Sequence, residues 1–126
     1  MRNPRSIGFA TVLALCFAPA ILSAHLKFVR SAPAADATIE ASPTELRLWF
    51  SEEPLLPMSG VTLSGPKGAV KLRAPKAGGD QSLVVPLDAP LEPGAYKISW
   101  KAAGDDGHVL QGIVGFTIKP RAQLSK

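Results

Sequence analysis

Three stretches of this chain alternate apolar and polar residues with a period of two, and that period most restricts what the chain can become. In residues 44–51, Leu46, Leu48 and Phe50 fall on one side, with Glu45, Arg47, Trp49 and Ser51 on the other. Residues 94–102 place Tyr96, Ile98 and Trp100 against Lys97, Ser99 and Lys101. Residues 113–119 repeat the pattern with Val114, Phe116 and Ile118. Such alternation suits half-buried strands, whose successive side chains point to opposite faces. Residues 25–30, 60–64, 68–73 and 82–87 are shorter candidates, and Pro86 restricts the last to a sheet edge or strand end. Turn chemistry separates the runs at Ser42-Pro43, Gly65 to Gly68, Ala77 to Asp80 and Glu92-Pro93-Gly94. No window shows helical spacing long enough to assign a helix. The expectation is an all-β fold of about seven strands, an antiparallel sandwich or small barrel with Greek-key links, spanning residues 25–120. Trp49 and Trp100 are expected to pack in the core or on a sheet face, and the polar residues 121–126 read as a loose tail.

The first 24 residues follow a different logic. Arg2 and Arg5 precede an apolar run from Ile7 to Leu22 that holds Pro19, and Ala24 is small enough to precede a cut. The run is shorter than the roughly 20 residues of a membrane span. It reads as a secretory signal, residues 1–24, cleaved on export, with no further span in the mature chain. Cys16, the one cysteine, leaves with it, because Leu15 is too large for a lipoprotein signal. Disulfides and thiolate metal sites are thereby excluded in the mature chain despite an oxidising destination. About 100 residues remain, enough for one core. Removing both arginines halves the excess of 14 Lys+Arg over 10 Asp+Glu. The remaining basic residues are scattered and aromatics are few, which argues against a nucleic-acid surface.

Two histidines carry the candidate chemistry. Residues 102–112, Ala-Ala-Gly-Asp-Asp-Gly-His-Val-Leu-Gln-Gly, lie between two strand patterns. Asp106-Gly107 serves as a hairpin turn on one reading, with His108 a polar strand start. On the other, an extended chain puts Asp106 and His108 on the same side, about 6.6 Å apart along the strand, so that both reach one ion. Cleavage after Ala24 would give His25 a free α-amine beside its imidazole, and these two nitrogens can chelate a metal. One amine, two imidazoles and a carboxylate without sulfur suit Cu(II) in a square arrangement, while zinc prefers a tetrahedron. Because the amine must lose a proton to bind, affinity should fall with pH. Glu52 and Glu53 end the first strong strand, either as a solvated pair or with one supplying a further oxygen. Asp105 points away from Asp106 in an extended chain. Met58 is the only methionine after residue 24, too little for a soft Cu(I) site. Nucleophilic hydrolysis lacks its motif, since no Gly-x-Ser-x-Gly and no mature cysteine occur.

With the histidine after the cut, the run Ser-Ala-Pro-Ala-Ala-Asp-Ala-Thr-Ile-Glu-Ala-Ser-Pro-Thr-Glu-Leu-Arg-Leu-Trp-Phe-Ser-Glu-Glu, the stretch Leu-Glu-Pro-Gly-Ala-Tyr-Lys-Ile-Ser-Trp and the closing Asp-Asp-Gly-His-Val-Leu-Gln-Gly-Ile-Val-Gly-Phe-Thr-Ile, the chain resembles the CopC family of periplasmic copper-binding proteins. The resemblance implies an immunoglobulin-like Greek-key domain binding one Cu(II) per chain. His25 would give amine and imidazole, His108 the second imidazole, Asp106 an oxygen, and Glu52 would match a glutamate used by some members. The methionine-rich Cu(I) site of some resistance-type members is absent. A CopD-type inner-membrane protein is implied as a partner, and a monomer is expected. Two other classes stay open. One is a copper enzyme like the lytic polysaccharide monooxygenases, which also pair an N-terminal histidine with a second one. The other is an immunoglobulin-like interaction module without metal.

Overall fold

The computed structural model describes residues 25–120. Within residues 44–51, Glu45–Phe50 form a strand because their alternation has somewhere to go: Leu46, Leu48 and Phe50 are buried while Glu45, Arg47 and Trp49 lie on the outer side. The same holds where Tyr96, Ile98 and Trp100, and then Val114, Phe116 and Ile118, enter the core. Among the described residues there are nine strands: β1 (Phe28–Ala32), β2 (Ala37–Ile39), β3 (Glu45–Phe50), β4 (Gly60–Gly65), β5 (Gly68–Val70), β6 (Lys76–Ala77), β7 (Ser82–Pro86), β8 (Gly94–Ala103) and β9 (Val109–Ile118). A single 3-10 turn, Leu56–Met58, precedes β4.

The strands make two sheets, in the orders β1-β3-β7-β6 and β2-β9-β8-β4-β5. Their inner faces share one core, so the fold is the expected all-β sandwich. Hairpins join β4 to β5, β6 to β7 and β8 to β9, and the other connections pass from one sheet to the other. The expectation of about seven strands is corrected to nine. The two that the sequence pattern misses, β2 and β6, have three and two residues, too few to display a period. The all-antiparallel expectation is corrected as well, because β2 runs parallel to β9. Other boundaries shift: the first strand begins at Phe28 rather than His25, and the last begins at Val109 rather than Ile113. Pro86 ends β7, as its missing N–H requires. The signal reading of residues 1–24 and the tail 121–126 lie outside the described residues.

Three features fix the end of the sandwich where the chain begins. Phe28 of β1 stacks on Trp100 of β8, with ring centroids 5.3 Å apart and planes 18° apart, and Phe50 of β3 meets both rings edge-on. This trio ties the two sheets together next to the start of β1 and the end of β8. Trp100 lies opposite Gly112 of β9. A Cβ at 112 would come within 2.7 Å of the indole, so the glycine is what lets Trp100 lie over that strand. Trp49 points outward instead. Arg30 lies 3.6 Å over its ring and its indole N–H donates to Asp80 at 2.9 Å.

At the opposite end of β8, the Tyr96 hydroxyl donates to the carbonyl of Glu92, four residues upstream, and its ring stacks on Phe116. A tyrosine bonded back to the preceding turn pins an inter-sheet corner. Burial, with the Glu92 carboxylate adding to it, raises the Tyr96 pKa above its ordinary value.

Candidate metal centre

His25 precedes β1 and is itself exposed, but its neighbours are held. Leu26 is buried in the core at 2 % exposure. Lys27 donates its backbone N–H to Ser51 Oγ at 2.8 Å and accepts from the Ser51 N–H at 2.8 Å. The imidazole of residue 25 is thus carried on a short arm fastened to the end of β3.

The second component is the loop between β8 and β9. Ala103 pairs with Val109, and the Gly107 N–H donates to the Gly104 carbonyl at 2.9 Å, so residues 104–108 close a hairpin. Gly107 has φ +78, a left-handed value that glycine adopts without steric cost. Of the two readings of this segment the hairpin turn is the one the fold adopts, and the Asp106 and His108 side chains meet by a route other than the extended one. Asp106 Oδ1 accepts the His108 backbone N–H at 3.0 Å, an aspartate capping the residue two ahead. Asp106 Oδ2 lies 2.9 Å from His108 Nδ1.

Folding then brings in residue 25 across 81 positions of sequence: His25 Nδ1 lies 2.9 Å from the same Asp106 Oδ2. The two imidazole centroids are 5.2 Å apart, tilted by 46°. Donor atoms of His25, Asp106 and His108 all lie within 4.8 Å of one another, close enough for one ion. The side chains are 49 %, 33 % and 70 % exposed, so the group opens to solvent and His108 is its outermost member. The hydrogen bond from the His108 backbone, followed by contacts with the His108 and His25 rings, holds the Asp106 carboxyl below its ordinary pKa against the opposing effect of desolvation. Asp106 is accordingly a carboxylate near neutral pH. Two nitrogens and a carboxylate oxygen without sulfur fit Cu(II) or zinc rather than a soft cation.

Glu52 stands apart from that group. Its Oε1 accepts the Asp105 backbone N–H at 3.3 Å, which fastens the loop rather than extending the set of donors. Gly104 makes this approach possible, because a Cβ there would collide with Glu52 Oε1 and press on Leu26. Glu53 and Asp105 are exposed. The sequence pattern did not single out Leu26, Ser51 or Gly104. A lone leucine between His25 and Lys27, and a glycine opening the Asp105-Asp106 turn, were the available signals.

Comparison with known proteins gives a consistent result. The family model for the CopC domain matches residues 28–119. A copper resistance protein C from Xanthomonas campestris pv. juglandis is 34 % identical over 125 residues, which span 91 % of this chain and 97 % of that protein. Protein YobA of Escherichia coli K12 is 33 % identical over 119 residues, 91 % of this chain and 96 % of that one. Among solved structures, PcoC, a methionine-rich copper resistance protein from Escherichia coli, superposes with a TM-score of 0.70 at 31 % identity. That match covers 76 % of this chain and all of PcoC.

Proposed function

This chain belongs to the CopC domain family, and from that premise we propose that it is a periplasmic protein that binds one Cu(II) ion and holds or delivers it in copper homeostasis or resistance. The observation that carries this reading is the convergence of His25, Asp106 and His108 from the two ends of the described chain. Signal cleavage after Ala24 supplies the fourth donor, the α-amine of residue 25. That amine and the His25 Nδ1 form a chelate, His108 Nδ1 adds the second imidazole, and Asp106 adds an oxygen. Nitrogen and oxygen in a planar set favour Cu(II) among divalent ions.

The chain's own groups prepare the site. Asp106 holds both imidazoles with their Nδ1 atoms turned inward, and its lowered pKa keeps the carboxylate charged. Binding replaces ring and amine protons with the metal, so copper uptake releases protons and weakens in acid. The openness of the group suits transfer, since an incoming ligand reaches the ion from the His108 side. Asp106 would be available to occupy a coordination position that an oxygen-activating copper centre would leave free, which favours a carrier over an enzyme. With Met58 its only methionine after residue 24, the chain takes the oxidised ion and lacks a Cu(I) methionine site. The receiving partner in this reading is a CopD-type inner-membrane protein, and the carrier itself is a monomer. No helix among the described residues is long and apolar enough to cross a membrane.

Cu(II) titration of the protein beginning at His25 tests the proposal. A one-to-one complex with nitrogen superhyperfine structure in its electron paramagnetic resonance spectrum is expected. One residue added before His25 separates the amine from the ring and should weaken binding. Unchanged affinity in that extended protein would remove the amine from the site, and the absence of any saturable complex would sink the copper reading.

A further inference from the structure

Residue 51 occupies an unusual place in the ladder between β1 and β3. Phe28 lies opposite Phe50, so the next pair outward is Lys27 and Ser51. An antiparallel pair of this kind normally exchanges two bonds between backbone groups. Here only one is of that type, from the Ser51 N–H to the Lys27 carbonyl at 2.8 Å. The return bond, from the Lys27 N–H, goes to the Ser51 hydroxyl at 2.8 Å. β3 has ended at Phe50, and the chain turns away toward Ala103, whose carbonyl accepts the Leu55 N–H at 2.9 Å. The hydroxyl therefore continues the ladder by one pair after the backbone has left it.

That extra pair sits two residues from His25. On its other side, Glu52 grips the loop bearing Asp106 and His108 through the Asp105 N–H. Two consecutive residues thus hold the two halves of the centre, Ser51 the arm and Glu52 the loop. Leu26 is an apolar anchor between them, but burial is non-directional and fixes the depth of the arm more than its heading. Direction comes from the two bonds at Lys27.

We propose that Ser51 is a positioning residue for the copper site, aiming the residue-25 amine and imidazole at Asp106 and His108 through its hydroxyl bond to the Lys27 N–H. The inference rests on the copper reading and adds to it the residue that sets the arm. An arm without this bond swings about Leu26, and the amine must then be ordered at the moment of binding, at a cost in affinity.

The experiment uses the protein starting at His25, with Cu(II) affinity measured by chelator competition, alongside thermal unfolding and paramagnetic resonance spectra. Ser51→Ala should weaken Cu(II) binding about 10-fold, the equivalent of one hydrogen bond of about 1.4 kcal/mol. Ser51→Thr, which keeps the acceptor, should restore affinity to within about twofold. The same Ser51→Ala change in the protein carrying one residue before His25 should have a smaller effect, because the arm then positions the imidazole alone and the amine no longer ligates. A purely structural role would lower the unfolding temperature of Ser51→Ala while leaving affinity unchanged, and that result overturns the proposal. So would an equal loss of affinity in the native and extended proteins. If the unsubstituted protein binds no Cu(II), the copper reading fails; binding that is indifferent to Ser51 defeats only the positioning role.

Discussion

Asp106 serves two purposes at once. One carboxylate oxygen shapes the loop by accepting the His108 N–H, and the other gathers both imidazoles. Asp106→Asn separates these roles, since the amide oxygen still accepts from the backbone while the charge is lost. The loop should persist and Cu(II) affinity should fall at least about 10-fold, as charge-assisted contacts are the stronger ones. His108→Ala removes a donor outright. Its affinity should fall by about 100-fold or more, because losing an outer partner alone costs 10–100-fold. Chelator competition reads both. The depressed pKa of Asp106 also has a signed consequence for the protein without copper. Its contribution is present above the unfolded carboxylate value and is lost as pH falls through the lower, folded value. The His108 amide should therefore stay protected from hydrogen exchange to a pH below the ordinary carboxylate range. Copper affinity should decline well before that, near pH 7 to 8, where a free α-amine takes up its proton.

At the scale of strands, β8 and β9 carry the centre. They form the longest pair, register from Gly94 with Ile118 to Ala103 with Val109, and the loop at their end bears Asp106 and His108. An aromatic residue braces the pair near each end, Trp100 over Gly112 and Tyr96 bonded to the Glu92 carbonyl. Gly112→Ala would drive a methyl into the Trp100 indole, a collision of the overpacking kind that costs about 1–3 kcal/mol. Because Trp100 also stacks on Phe28, the change should weaken Cu(II) binding as well as stability. At the far end, Tyr96→Phe removes only the bond to the Glu92 carbonyl. It should cost about 1 kcal/mol and lower the unfolding midpoint by about 4–8 °C, with copper affinity unchanged. The contrast between these variants distinguishes the strand end that supports the site from the one that does not.

For the molecule as a whole, the centre joins the first described residues to the last hairpin, so a bound ion ties distant parts of the chain to one another. Binding to the folded state alone stabilises it in proportion to the logarithm of free copper. At free Cu(II) 100 times the dissociation constant the gain is about 2.7 kcal/mol. For a domain near 100 residues this corresponds to an unfolding midpoint higher by more than about 10 °C, measurable by calorimetry. His108→Ala should lose most of that rise.

The alternation of Leu46, Leu48 and Phe50, of Tyr96, Ile98 and Trp100, and of Val114, Phe116 and Ile118 was enough to define the sandwich and most of its core. Periodicity is a local property of a strand with one buried face, so it is written in consecutive residues. β2 and β6 were not legible because two or three residues show no period, and their existence depends on neighbours supplied by distant sequence. The same division runs through the centre. The residue types, and their placement after an apolar N-terminal stretch and in an Asp-Gly-His turn, were present in the sequence. That His25 and His108 share one carboxylate oxygen, and that Ser51 and Glu52 fasten the two halves, were decided only by tertiary structure. Distances between groups 81 residues apart are set by how two sheets pack, and no local pattern encodes them.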